Sequence, residues 1–208
     1  MKVKKIFCVI GYMAVGKDTI VTQASKILGN KVKVLVSHTT RPMRKGEKEG
    51  REYYFINNKE FLKMKEYGAF VESRKYNTKV EENGKITDAT WFYGLSAEEV
   101  ESSEYSIVIV DSDGYMELRE KYGREIVIPI YISVKDETIK ERALARGDLE
   151  EEVNRRITDD KKRFLNFRVN IVYKTIKNEG NIEDTVEEFV GYIYKMMGMN
   201  NTCPKKKK

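Results

Sequence analysis

With 208 residues, 40% of them apolar, the chain holds enough core-forming material for one α/β domain carrying inserted lids. Four of its six units of net positive charge lie in the terminal run Lys205 to Lys208, which leaves a body too weakly charged to read as a nucleic-acid binder. Two cysteines (Cys8, Cys203), one histidine (His38) and no apolar run of membrane-spanning length exclude a disulfide framework, a zinc site and a transmembrane helix, and point to a soluble chain in a reducing, cytoplasmic setting.

The first predicted element is a strand over 5–10, because Ile6-Phe7-Cys8-Val9-Ile10 is apolar on both faces. It runs into Gly11-Tyr12-Met13-Ala14-Val15-Gly16-Lys17-Asp18-Thr19, the order of strand, glycine-rich turn, lysine and helix that a phosphate-binding loop requires. The two glycines let the backbone N–H groups turn inward around a phosphate, and the helix predicted over 17–28 aims the positive end of its dipole at the same oxygens. Lys17 adds a mobile point charge across the β- and γ-phosphates of a nucleoside triphosphate. Asp18 breaks the pattern, standing where a Ser or Thr hydroxyl ordinarily reaches Mg²⁺, with Thr19 one place late. A carboxylate can hold that ion through water, but it repels phosphate. An ordinary glycine-containing turn is the competing reading.

Farther along, short β-branched runs alternate with helical patterns, the mark of crossover units on a parallel sheet. Strands are predicted over 32–36, 106–111, 125–132 and 171–176, and helices over 97–104, 114–122, 136–145, 151–165 and 182–197. In the last helix Ile182, Val186, Phe189, Val190 and Ile193 are spaced for one buried face. Two segments break the alternation and are expected to be lids: 38–96, rich in Tyr, Lys and Gly with weak strand signals, and 146–156, almost all charge. Asn83-Gly84 reads as a hairpin turn, and 200–208 as a disordered basic tail.

Three groups of side chains carry chemistry. Asp111, at the carboxyl end of the 106–111 strand, lies where a doubly wound sheet holds Mg²⁺ or its water shell, while Asp113 leans out over the crevice. Capping of the next helix is the alternative use of this pair. Ser37-His38-Thr39-Thr40-Arg41-Pro42-Met43-Arg44 sets two arginine forks around a fixed turn, a pocket for a dianion unless it is a solvated basic loop. Arg142, Arg146, Arg155 and Arg156 offer the placed cations that a transferring phosphoryl group needs; pairing with Glu150, Glu151 and Glu152 on solvated helix faces is the competing explanation.

From Thr39 to Phe55 the chain reads TTRxxRxGExxGxxYxF. Together with the phosphate loop, Gly68-Ala69-Phe70-Val71-Glu72, Tyr93-Gly94, the Asp111 to Asp113 turn and Arg142 to Gly147, it resembles the guanylate kinase family over most of residues 5–197. The resemblance implies a P-loop NTPase-type α/β fold within residues 1–199. Its core, a parallel five-stranded sheet flanked by helices, would take about 1–37 and 97–199, with a monophosphate-binding insert over about 38–96 and a short Arg-rich lid over about 146–156. It further implies ATP as phosphoryl donor, Mg²⁺ as cofactor, and direct in-line transfer to GMP or dGMP by a monomer or homodimer whose partners are small nucleotides. Under it Ser37, Arg41, Arg44, Tyr53 and Tyr93 hold the acceptor phosphate, and Glu72 and Asp113 read guanine. Lys17, Arg142, Arg146 and Arg156 are catalytic, with Arg155 the alternative to Arg156 because the interval from Arg146 is one residue short. ATP rests on residues 11 to 19 and on Asn178, and Asp18 and Asp111 hold Mg²⁺ through water. The chain departs from the family at Leu95, where a Ser or Thr usually touches the base, with Ser96 next to it, and in a longer stretch from Tyr76 to Trp91. A kinase for another (deoxy)nucleoside monophosphate is therefore the second reading. The third, a catalytically inactive protein-binding module, is opposed by the presence of Lys17, Arg41, Arg44 and Arg146.

Overall fold

The computed structural model describes residues 2–82, 84–171 and 174–199. The chain begins with β1 (Lys5–Ile10), α1 (Lys17–Leu28) and β2 (Lys33–Val34). It then leaves the core for β3 (Ser37–Thr39), β4 (Tyr53–Phe55), α2 (Asn58–Glu66), β5 (Phe70–Glu82) and β6 (Lys85–Ser96). It returns through α3 (Ala97–Glu101), β7 (Tyr105–Ile109), α4 (Ser112–Tyr122), β8 (Val127–Ser133), α5 (Asp136–Ala145), α6 (Glu150–Asn170), β9 (Lys174–Lys177) and α7 (Ile182–Met196).

The core sheet has the order β2-β7-β1-β8-β9, and every neighbouring pair in it is parallel. Its central strand is apolar from Ile6 to Ile10 because helices cover both faces, and those five residues are fully buried. The last helix, α7, buries Val186, Phe189, Val190 and Ile193, one stripe at helical spacing, and packs beside α1. Parallel strands end together at their carboxyl edge, so the loops after β1, β7 and β8 open onto one rim, where ligands of such sheets bind.

The segment expected to be a lid, whose strand signals are weak in the sequence, forms a second sheet of its own, ordered β4-β3-β6-β5. Its spine is a two-residue-turn hairpin whose register runs from Phe70 opposite Ser96 to Glu82 opposite Lys85. Gly84 has the positive φ, 75°, that such a turn demands, whereas Asn83 of the expected Asn-Gly turn lies outside the described residues. The strand expected over 32–36 is only two residues long, because the chain crosses to the second sheet at Ser37. The helix expected over 97–104 ends at Glu101, since Tyr105 must enter β7. The helix expected from 151 to 165 is instead 21 residues long. Residues 200–208, with Cys203 and the expected disordered tail, and residues 172–173 of the strand expected over 171–176 also lie outside the described residues.

Candidate active site

The loop between β1 and α1 has a shape that glycine permits at both ends. Gly11 and Gly16 have φ of 150° and 91°, and a Cβ on them would lie 2.4 Å from the Ile132 carbonyl oxygen and 2.5 Å from Asn178 Nδ2. Lys17 folds back across the loop, donating from Nζ to the Gly11 and Tyr12 carbonyls at 2.9 and 2.8 Å. Burial lowers its pKa, and Asp18, Asp160, Arg146 and Asp111 act on it next, so these groups share one electrostatic neighbourhood. Asp18 and Thr19 are exposed on the first turn of α1.

Side chains from three other elements brace this loop. Asn178 Nδ2 and Arg142 Nη1 donate to the Val15 carbonyl at 2.8 and 3.4 Å, and Arg142 Nη2 donates to the Asn178 carbonyl at 3.1 Å. The Met13 N–H donates to Asp160 on α6 at 2.9 Å. Asn178 is buried, and its side-chain oxygen accepts from Thr185 Oγ1 at 3.3 Å. Both ends of that amide are thus turned into the protein, and Asn178 braces the loop. Arg142 likewise sits against the loop carbonyl, whereas Arg146 stands at the far end of α5 beside Asp148.

The insert carries the five residues expected at the acceptor phosphate: Ser37, Tyr53 and Tyr93 on adjacent strands, and Arg41 and Arg44 in the loop between β3 and β4. In β3, Ser37 is opposite Tyr53 of β4, and Thr39 is opposite Tyr93 of β6. Arg41 is buried despite its charge because both faces of its fork are satisfied: Nη2 donates to the two Glu47 oxygens at 2.8 and 3.0 Å and Nη1 to the Pro42 carbonyl at 2.8 Å. Glu47 also accepts the Arg44 N–H at 2.7 Å, which pins the turn between the two arginines. Partial desolvation, then the cations Arg41 and Arg146, hold Arg44 below its ordinary pKa. Arg44 is therefore within electrostatic reach of both Arg41 in the insert and Arg146 at the end of α5. Burial raises Tyr53, whose ring lies 5.7 Å from that of Tyr93, and Asp18 of α1 is among the charges acting on it. The insert sheet consequently faces the phosphate loop.

Of the charged segment 146–156, only 146–149 lies outside a helix. Glu150, Glu151 and Glu152 in the first turn of α6 favour its dipole and extend it over the rest. Arg155 and Arg156 both donate to Glu152, but they diverge beyond it: Arg155 turns to Asp159, while Arg156 donates to Thr78 on β5 at 2.9 Å and acts on Asp160, the acid that touches the loop. Of the two, Arg156 is the one on the loop side.

A polar wall stands between β5, α4 and α6. Alternate residues share a face of a strand, so Glu72, Arg74, Tyr76 and Thr78 project together. Asp111 caps α4, accepting from the Gly114 N–H at 2.8 Å; it also accepts from the Tyr76 hydroxyl and from Arg163 Nη1 at 3.2 Å, and pairs with Arg74 Nε at 3.4 Å. Asp111 thus ties the start of α4 to β5 and α6. Glu72 is buried against Gly114, and a Cβ there would lie 3.1 Å from its Oε2; Asp113 is exposed in the adjoining first turn of α4. Burial pushes the Glu72 carboxyl up to about 8, with Arg74 lowering and Asp111 and Glu117 raising it in turn. Leu95 is directly opposite Glu72 in the hairpin and fully buried.

Arg74, Tyr76, Thr78, Glu152, Asp160 and Arg163 were missed as site residues, although their spacing carried a signal. Counting by twos from Glu72 along a strand reaches the first three, and Arg156, Asp160 and Arg163 recur at helical spacing.

Fold and site together define a phosphate-loop protein of the α/β class, with two arginine-bearing arms directed at the loop. The sequence model of the guanylate kinase family matches residues 3–196. A guanylate kinase of Thermotoga maritima is 32% identical over 198 residues, covering 91% of this chain and 86% of that protein. One of Legionella pneumophila (strain Paris) is 33% identical over 149 residues, covering 69% of this chain and spanning 64% of the relative's length. The crystal structure of guanylate kinase from Anaplasma phagocytophilum shares the fold, with a TM-score of 0.63 at 24% identity over 96% of this chain and 90% of that one. This chain belongs to the guanylate kinase family. Among the described residues no helix is long and apolar enough to cross a membrane.

Proposed function

We propose that the chain transfers the γ-phosphoryl group of ATP to GMP or dGMP, giving ADP and GDP or dGDP by direct in-line displacement. The observation that supports this reading is that Arg146, at the end of α5, acts electrostatically on both Lys17 of the loop and Arg44 of the insert. In phosphoryl transfer, charge spreads over the equatorial oxygens of the moving group, and the protein's part is to place cations there and hold donor and acceptor in line. The acceptor phosphate is its own nucleophile and is ionised near neutral pH, so no catalytic base is required. Arg41, Arg44, Tyr53 and Tyr93, with Ser37, bind that phosphate; Glu72 and Asp113 accept from the N1–H and amino group of guanine. Lys17 swings from the loop carbonyls to the β- and γ-phosphates, and Arg146 and Arg156 complete the charge from the lid. Arg142 and Asn178 act through the loop they support. Mg²⁺, when bound with ATP, would neutralise phosphate oxygens; exposed Asp18 fits a water-mediated hold on it.

A coupled ADP-release assay over GMP, dGMP, AMP, IMP, CMP and UMP tests this. GMP and dGMP should exceed AMP by about a hundredfold in kcat/KM, because adenine sets an acceptor against the buried Glu72 carboxylate. Preference for a pyrimidine or for AMP overturns the choice of acceptor. No turnover with any of them, in folded protein that captures a protein ligand, would return the chain to the inactive-module reading.

A further inference from the structure

Arg74 projects from β5 two residues beyond Glu72, on the same strand face and about 7 Å along it. Its Nη1 donates to Glu117 Oε1 at 2.7 Å and to the Ser73 carbonyl at 2.6 Å, and its Nε lies 3.4 Å from Asp111 Oδ1. Its Nη2 is enclosed and has no hydrogen-bond partner. An enclosed guanidinium N–H without an acceptor is costly, and such a group calls for an explanation.

The opposite strand sharpens the point. Leu95, the register partner of Glu72, has no polar atom to offer a base. Ser96 is opposite Phe70, and its hydroxyl oxygen caps α3 by accepting the Glu99 N–H at 3.2 Å. Neither position places a donor directly opposite the acceptor Glu72. Arg74 supplies one from the same strand face. A purine with an oxygen on C6 and a hydrogen on N1 presents an acceptor next to a donor, the complement of a guanidinium next to a carboxylate. A purine with an amino group on C6 reverses both and meets two repulsive contacts.

We propose that Arg74 is a specificity-determining residue of the acceptor site, its Nη2 donating to the C6 oxygen of the base that Glu72 reads. This assignment rests on the kinase reading above. The competing role for Arg74 is purely structural, a cation bracing β5 against α4 through Asp111 and Glu117.

Steady-state kinetics of wild type, Arg74→Met and Arg74→Lys with GMP, IMP and AMP separate the two. The base-reading role predicts that the GMP-to-AMP and IMP-to-AMP ratios of kcat/KM both fall by about tenfold or more in Arg74→Met, with KM for ATP unchanged. Arg74→Lys keeps a charge between Asp111 and Glu117 but lacks the planar fork, so it also loses the ratios. It supplies the same reading should the Met variant not fold by circular dichroism. Variants that lose all three activities in proportion, or that keep the wild-type ratios, overturn the assignment of Arg74 while leaving the kinase reading intact. Wild-type protein that does not phosphorylate GMP overturns both.

Discussion

Lys17 shows how much one side chain depends on its loop. Its ammonium is buried and held by two carbonyls of the turn that the glycines shape. That arrangement keeps a cation folded over the phosphate-binding backbone and costs little to reorganise, because triphosphate oxygens replace carbonyl oxygens as acceptors. Lys17→Ala should lower kcat by roughly two to three orders of magnitude, in line with loss of one preorganised transition-state contact. A loss of tenfold or less in a quenched-flow assay would show that the lid arginines carry the charge without it. Asp18, one residue on, faces solvent beside the same oxygens. Its negative charge should make ATP binding unusually dependent on Mg²⁺, so Asp18→Ser is expected to tighten ATP binding in chelator. Calorimetry that finds equal or weaker metal-free affinity in the variant refutes this account. Both residues were legible in the sequence, since the loop's function is written in residue types at fixed spacing. The orientation of Asn178 was not, because an Asn-Glu-Gly turn says nothing about which way the amide points.

Among the elements, the β5–β6 hairpin and α6 are tied together. Thr78 Oγ1 donates to Glu152 Oε1 at 2.9 Å and accepts from Arg156, and both Thr78 and Glu152 are buried. Lys79 pairs with Glu151 at the rim, 3.5 Å away. The insert and the lid thus meet through a hydrogen-bonded cluster that also fixes Arg156. Thr78→Val removes the hydroxyl while keeping the shape, leaving Glu152 and Arg156 each one partner short. A loss of about 1–2 kcal/mol in urea unfolding is expected, together with a fall in kcat that leaves KM for ATP in place. Unchanged stability and kcat would show the contact to be incidental. Burial raises the Glu152 carboxyl, but hydrogen bonds from Arg155, Arg156 and Thr78 outweigh it and hold the pKa at about 2. A depressed pKa stabilises above the unfolded value of 4.5 and is lost as pH falls towards 2, so Glu152→Gln should flatten the acid limb over that window. Equal acid limbs in variant and wild type would contradict it. This cluster was hidden because residues 70–96 alternate Lys, Glu, Thr and Tyr without a clean apolar period. What makes a strand of them is the partner strand, at a distance no local pattern reports.

At the scale of the whole molecule, the core sheet was legible because continuous β-branched runs have few other uses, and the second sheet was not, because its strands are half polar and cover one another. The same difference leaves a buried carboxyl at the junction of the two sheets, and global stability should register it. Glu72 ionises at about 8 in the folded protein against 4.5 as an ordinary carboxyl. A raised folded pKa contributes stability that is fully present below 4.5 and is lost progressively as pH rises through 8. The shift sets a ceiling of about 5 kcal/mol, and relaxation around the charge reduces the expected loss to a few kcal/mol. Urea unfolding of wild type should therefore weaken between pH 5 and 9, while Glu72→Gln, which stays neutral, should lose less over the same range. Saturating GMP should offset the wild-type loss, because the guanine N1–H and amino group donate to the ionised carboxylate and draw its pKa down. GMP affinity should accordingly rise with pH as the carboxyl ionises, a trend that Glu72→Gln abolishes. Parallel stability curves for the two proteins, or a GMP affinity that responds to pH alike in both, would mean that Glu72 is ionised throughout and that another group sets the alkaline limit.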